Sequence, residues 1–327
     1  MGKGREIMAD KLVSVVIPCY NSEETIAECI ESFLNQTYSP VEIVVVDDGS
    51  NDNTVKVAQK YLVKLVKTEH LGEGHARNIG IKSSSGNIVV NTESDGKYAK
   101  NYVGSIIKRL DNPTVGCSFG GLGKVWASKS THLVRYINLR RVAAHELTVM
   151  GRRPIIGGWT FRKKIFEEVG LYDENLPCGT DVDLVRRVTK RGYKLGWEPD
   201  TYIYHKEPDT IFKLIKDRFR RDYLMKNFRK KWHEELNPKE KAGFFVKTLL
   251  LTSVPIFIVL SFYNLLWLIL FLFSIFIHYR KGRGEGKLAV KLAFKGKDYL
   301  VMFLIPIYTW IENVSCAWGR IFSWVRQ

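Results

Sequence analysis

Two carboxylates stand one residue apart in "NTESDG" (91–96), directly after the apolar run "NIVV". On a strand end, residues i and i+2 point the same way, so Glu93 and Asp95 can converge on one point. Two hard oxygen donors suit Mg2+ or Mn2+, ions that keep their waters and take further ligands from phosphates. An ion held there would act as a Lewis acid on a departing phosphate. The plainer reading of the same residues is a polar turn closing a strand. Arg77, in "HARN", is either a cationic fork for phosphate oxygens or an ordinary solvated helix charge. "DDGS" (47–50) reads first as a turn. Two familiar phosphate loops are excluded. "IPCYNSEET" has no G-x-G-x-x-G, and "FGGLGKV" (119–125) has Ser118 where the leading Gly belongs and Val125 in place of Ser or Thr. The five cysteines (Cys19, Cys29, Cys117, Cys178, Cys316) are scattered with no Cys-x-x-Cys, which argues against zinc and for reduced thiols.

Such residues need a frame. "KLVSVVIP" (11–18), "VEIVVVDDGS" (41–50), "LVKLVKT" and "NIVVNTESD" read as apolar, β-branched strands, the last ending in the acidic pair. Between them lie helices. Ile26, Ile30, Phe33 and Leu34 share one face, with Ser22 as the expected cap and Glu23 and Glu24 in the first turn. A short helix is expected from about Asn53 to Tyr61, and another over "GHARNIGIKSS". Alternation of this kind makes parallel βαβ units, an α/β fold, whose ligands bind beyond the carboxyl ends of the strands. "PCYN", "DDGS" and "TESD" stand there in a row.

These stretches, with "GHARNIGI", "GGWTFRKKIFEEVGLYDE" and "GTDVDLVRRVTKRGYKLGWEPDTYIYH", resemble the inverting family 2 glycosyltransferases, which include dolichyl-phosphate mannose synthases. The resemblance covers most of residues 12–205. It implies a GT-A fold, a mostly parallel, Rossmann-like sheet flanked by helices, and a nucleotide-diphospho-sugar donor. By the resemblance Asp48 accepts from the base, Pro18 and Asn21 shape the pocket with Tyr20 and Asp47 beside them, and Arg77, Glu93, Ser94 and Asp95 complete the donor side. The family usually has Asp-x-Asp where this chain has Glu93-x-Asp95, and Glu-Asp where it has Thr180-Asp181. Asp95 then matches the more direct metal ligand and Asp181 the general base, although Thr180 or Asp181 equally reads as a helix cap. His205 matches a histidine that completes the metal site in some relatives, and Gly158 and Trp159, in "IIGGWTF", fall on the acceptor side.

The formal net charge of +16 is uneven. From Lys206 to Lys241 there are 12 Lys/Arg against 7 Asp/Glu, and from Arg280 to Lys297 there are 7 against 1, so 11 of the excess charges flank the apolar segments 249–277 and 298–318. That placement favours anionic headgroups, and nucleic acid is not an expected partner. The N-terminus lacks an apolar h-region, and Glu6 breaks the myristoylation pattern. The expected organisation is a tail (1–11), a catalytic domain (12–206), basic amphipathic interfacial helices (207–248) and a membrane-embedded region (249–327). Within it, 249–277 reads as one tilted span or a re-entrant hairpin, and 299–325 as a second span or an interfacial helix. The expected activity is sugar transfer to a lipid-linked acceptor, a polyprenyl phosphate or a lipid-linked glycan, on the cytoplasmic face of the cell membrane. The rivals are a polysaccharide-extending synthase, whose Gln-x-x-Arg-Trp signature is missing, and a nucleotide-sugar-binding scaffold without turnover. The sequence leaves the oligomeric state open.

Overall fold

The computed structural model describes residues 11–126, 130–149, 158–232, 269 and 285–325. The chain divides into two compact units, Met1–Trp126 with Pro154–Lys206, and Ala127–Arg153 with Glu207–Gln327.

The first unit is built on an eight-stranded sheet in the order β3-β2-β1-β4-β7-β6-β8-β5. The strands are β1 Val13–Cys19, β2 Val41–Asp47, β3 Lys64–Lys67, β4 Ile88–Asn91, β5 Gly96–Tyr98, β6 Val115–Trp126, β7 Thr160–Arg162 and β8 Lys194–Lys206. Strands β1 to β4 pair in parallel, as βαβ alternation requires. Strand β7 runs antiparallel to β4 and β6, and β5 antiparallel to β8, so the sheet is mixed. Helices α1 Ile26–Leu34, α2 Thr54–Ala58, α3 Glu73–Ser83, α4 Tyr102–Lys108, α6 Lys164–Val169 and α7 Thr180–Lys190 flank it.

Both faces of the sheet are covered, which explains the unbroken apolar strands. Val13, Val15 and Ile17 pack with Ile26, Ile30 and Phe33 of α1 on one face. Val16 and Val89 face the other way, towards Ile81, Phe119 and Phe161. Helix α3 lies so close to the sheet that a Cβ on Gly80 would come within 2.2 Å of Val16 Cγ1.

Two local expectations are corrected. The strand expected to run through "NTESD" stops at Asn91, where pairing with β1 ends at Val16. Thr92 turns away, its Oγ1 donating to the Val16 carbonyl at 2.8 Å, and the Gly96 amide closes a turn on the Glu93 carbonyl at 3.2 Å. The acidic pair therefore sits on a turn between β4 and β5. Ser22 does not cap α1 through its side chain: the helix starts at Ile26 after Thr25, because the Ser22 hydroxyl is engaged with Ser94 at 2.8 Å. Glu23 instead accepts the Asn53 amide at the start of α2.

The described part of the second unit is helical: α5 His132–Val149, α8 Ile211–Leu224, α9 Lys226–Trp232, α10 Glu285–Lys295 and α11 Tyr299–Val325. Thr210 caps α8, its hydroxyl accepting the Lys213 amide. Within α11, Tyr299–Phe322 is long and apolar enough to cross a membrane, with a mean hydropathy of 1.5. The segment 249–277 lies outside the described residues, apart from Ile269.

Candidate metal and donor site

Strand β8 brings a histidine to the acidic turn. Its antiparallel pairing with β5 sets His205 opposite Gly96, and the Lys206 amide donates to the Asp95 carbonyl at 3.0 Å. His205 Nε2 then stands 2.7 Å from Glu93 Oε2 and 3.2 Å from Asp95 Oδ1. One ligand atom from each of the three residues lies within 4.8 Å of the others, close enough for one ion to reach all three. The other ring nitrogen, Nδ1, meets the Lys206 carbonyl at 2.8 Å. A backbone acceptor for Nδ1–H orients the ring with Nε2 towards the two carboxylates, the arrangement a metal-binding imidazole needs. The donor set, two carboxylates and an oriented imidazole, fits a divalent cation. Beneath the turn, Cys29 Sγ donates to the Glu93 carbonyl, and burial followed by the charge of Asp95 pushes that thiol well up, so it stays neutral. Ser94 is tied to Ser22, in the loop before α1.

The ends of β1 and β2 lie alongside. Pro18 falls beyond the last residue paired with β4, and Asn21 has φ of 48°, with its side-chain oxygen accepting the Asn51 amide at 2.9 Å. That bond, to a residue 30 positions away, holds the side chain of an asparagine whose left-handed backbone this residue type tolerates better than most. Asp47 accepts the Ser50 amide at 3.2 Å. Asp48 is buried and takes three donors from one loop: the Leu71 and Gly72 amides at 3.1 and 3.0 Å, and His70 Nδ1 at 3.1 Å. The His70 ring stacks on Tyr20 with centroids 3.9 Å apart. Sequence reasoning missed His70. Its only signal is its place in "EHLGEG", which carries no ligand spacing.

Arg77 is not a solvated helix charge. It is 4% exposed, pairs with Glu73 one turn earlier and lies over the Tyr172 ring at 5.5 Å. Asn78 ties the same helix to the loop before α7, donating to the Tyr172 carbonyl at 3.0 Å and accepting the Tyr172 amide at 2.9 Å. Helix α7 then begins after Gly179, which holds a left-handed conformation and is the cap residue; neither Thr180 nor Asp181 caps it. Thr180 is buried, and Asp181 is half-buried in the first turn. The Asp181 carboxyl is pushed up to about 6, chiefly because surrounding protein displaces its water. Arg77 pulls it down, and Glu73 and Glu93 push it further up. Those influences place Asp181 within electrostatic reach of both the arginine and the acidic turn.

At the position expected on the acceptor side, Gly158 has φ of 57° and a Cβ there would strike the Tyr102 hydroxyl, which donates to the Gly158 carbonyl at 2.8 Å. Trp159 is 3% exposed and packs on Phe119 with ring centroids 4.5 Å apart. Its ring belongs to the core, so it offers no stacking surface for an acceptor. Its backbone carbonyl accepts the Asn91 amide and pins the end of β4.

Residues 14–170 match the model of Glycosyl transferase family 2. Glycosyltransferase AglE of Haloferax volcanii is 30% identical over 217 residues, 64% of this chain and 71% of that protein. The chain belongs to glycosyl transferase family 2. It is a glycosyltransferase of the GT-A fold, and it is also similar to EpsJ of Bacillus subtilis, an uncharacterized glycosyltransferase, 26% identical over 67% of this chain and 68% of that one. Among solved structures, the mannosyltransferase PcManGT from Pyrobaculum calidifontis, in complex with GDP-Man and Mn2+, superposes with a TM-score of 0.58 at 21% identity, covering 96% of this chain and 88% of that chain. At that identity the likeness is one of fold.

Proposed function

We propose that the protein transfers a sugar, with inversion, from a nucleotide-diphospho-sugar to a lipid-linked acceptor such as a polyprenyl phosphate or a lipid-linked glycan. The observation that carries this reading is the convergence of Glu93, Asp95 and His205 at the carboxyl ends of the parallel strands, where an α/β sheet binds its ligands. These three residues would hold Mg2+ or Mn2+; the imidazole favours Mn2+, and PcManGT carries Mn2+. Such an ion, when bound, supplies Lewis-acid stabilisation to the leaving diphosphate. Tyr20, Asn21, Asp47, Asp48 and Pro18 form the nucleoside end, with Ser94 beside the metal ligands. Asp48 has three donors already, so one lone-pair position remains for a base N–H. Arg77 sets the potential around Asp181 from its buried position, alongside its role towards the donor phosphates.

Asp181 takes the proton from the acceptor hydroxyl as that oxygen attacks the anomeric carbon; a carboxyl near 6 is largely ionised at neutral pH and still basic enough to accept. A phosphate acceptor, already an anion, needs orientation more than deprotonation. With the Trp159 ring in the core, the acceptor side rests on the backbone at Gly158. The basic stretches 206–241 and 280–297 support a membrane location with the catalytic unit on the cytoplasmic side.

The test is sugar transfer by purified protein given UDP- and GDP-sugars, GDP-mannose first, with polyprenyl phosphate and either Mn2+ or EDTA. Metal-dependent transfer lost in Asp95→Asn is the expected result. Transfer that survives both EDTA and Asp95→Asn would remove the metal site from the reaction.

A further inference from the structure

The packed side of helix α11 mixes apolar residues, Val301, Ile305 and Ala317, with buried polar ones, while its open side is apolar. Among them Glu312, 5% exposed, accepts from Tyr136 at 2.7 Å and pairs with Arg140 of α5 and Arg218 of α8. Arg320 pairs with Asp222 of α8 at 3.0 Å. Asn313 and Ser315 donate to the carbonyls one turn back in their own helix, at 2.8 and 2.7 Å. The open face is a stripe at helical spacing, Tyr299, Leu300, Phe303, Ile307 and Phe322, with Phe303 71% exposed. Water on that side would leave five large apolar side chains exposed along one line, well beyond the scattered exposure of an ordinary surface.

Two media remain for the stripe, the hydrocarbon core of a bilayer or its interfacial zone, and α8 decides between them. It runs beside the second half of α11, with Arg218 at Glu312 and Asp222 at Arg320. Lys213, Lys216, Arg220 and Arg221 of α8 are exposed. Were α11 to cross a membrane, Glu312 would stand near mid-bilayer, and the exposed cations of α8 would be carried to the same depth, where they are costly. The two helices also share one apolar groove of about 420 Å3, lined by Ile215 and Phe219 from α8 and by Trp310, Val314, Trp318 and Phe322 from α11. Both therefore turn apolar side chains towards a common surface, with lysines and arginines at its border. Indoles at a polar–apolar boundary and basic residues beside an apolar face are the marks of a helix lying in the interface.

We propose that α11, with α8 beside it, lies flat in the interfacial zone of an anionic bilayer, its Leu300–Phe322 stripe in the upper acyl region and the α8 cations at the phosphates. The helix of 27 residues, about 40 Å long, is a float and does not span. The inference rests on the membrane association proposed above.

The test uses the full chain in vesicles of mixed anionic and zwitterionic lipid. Single nitroxides are introduced through Leu300→Cys, Ile307→Cys, Val314→Cys and Phe322→Cys, with the five native cysteines replaced by alanine. Their depth is read from collisions with oxygen and with a water-soluble nickel chelate. Four similar, shallow depths of about 5–10 Å below the headgroups are expected. A profile that deepens to a maximum near residue 311 and rises again would overturn the float and leave membrane association standing. Nickel access at all four sites with no lipid contact would overturn both. Access by neither reagent would show that another part of the chain, such as 249–277, covers the stripe, and would also overturn it. Should the cysteine-free chain not fold, Trp310→Phe and Trp318→Phe in the native background report the same thing. Bromines near the headgroup should quench both indoles more than bromines deep in the acyl chains; stronger deep quenching of Trp310 overturns the float.

Discussion

Asp181 holds its proton to about pH 6 because the protein around it replaces water, so the fraction able to act as a base falls tenfold for each unit below that value. With a hydroxyl acceptor, turnover should fall along that limb, and Asp181→Asn should remove the limb and about 10²–10⁴ of the rate. A level profile between about pH 5 and 7 with such an acceptor would take the base role from Asp181. The same shift has a sign for stability. The carboxyl binds its proton more tightly folded than unfolded, where it titrates near 3.8, so its contribution is complete below 3.8 and is lost as pH rises through about 6. At the proposed metal site, His205→Ala should raise the Mn2+ concentration for half-maximal binding by at least about 10–100-fold, measured by calorimetric titration. Glu93 and Asp95 are readable from their own spacing, and His205 from the family pattern. His70 is not, because what gives it meaning is Asp48 and Tyr20, 22 residues away and more, and only folding supplies them.

At the level of elements, β1, β2 and β4 are legible because each is a continuous apolar run, largely buried on both faces, whereas β3 is a short edge strand with a lysine at each end. The three-residue β5 is not legible, since Gly96–Tyr98 has no pattern of its own and is a strand by virtue of β8. The close seat of α3 on β1 carries a prediction: Gly80→Ala pushes a methyl into Val16 and Val46 and should cost about 1–3 kcal/mol, read as a lower thermal midpoint with the metal site still able to bind Mn2+. Among the helices of the second unit, Glu312 answers two arginines from two different elements. Glu312→Ala removes a buried carboxylate shared by two part-exposed arginines, of which Arg218 keeps Asp217 and Glu207, and should destabilise by about 1–3 kcal/mol, whereas an apolar replacement of all three groups would not. Thermal unfolding in detergent separates these outcomes.

Across the whole molecule, residues 127–153 group with the C-terminal half although they interrupt the catalytic sequence. Helix α5 has no amphipathic stripe that would announce this, and its arginines pair with carboxylates far along the chain, Arg135 with Asp298, Arg140 with Glu312 and Arg141 with Glu207. The uneven charge, by contrast, can be counted from the sequence. It leads to an expectation for the intact enzyme: transfer measured on vesicles should rise with the fraction of anionic lipid and fall between about 0.05 and 0.5 M salt, as a Debye length near 10 Å shrinks below the reach of the basic helices. Rates indifferent to both would show that the excess charge serves something other than lipid.

The pairing of Gly96 with His205 also sets an order in time. A chain emerging from the ribosome holds β1 to β4 and the acidic turn long before it holds β8, so the third of the proposed metal ligands is the last to be made. An ion cannot template the early sheet through the completed triad; it can reward only the finished unit, adding stability by mass action in proportion to the logarithm of its concentration over its dissociation constant. A nascent chain stalled before residue 205 should therefore resist protease equally with and without Mn2+, and the completed chain should be protected by it.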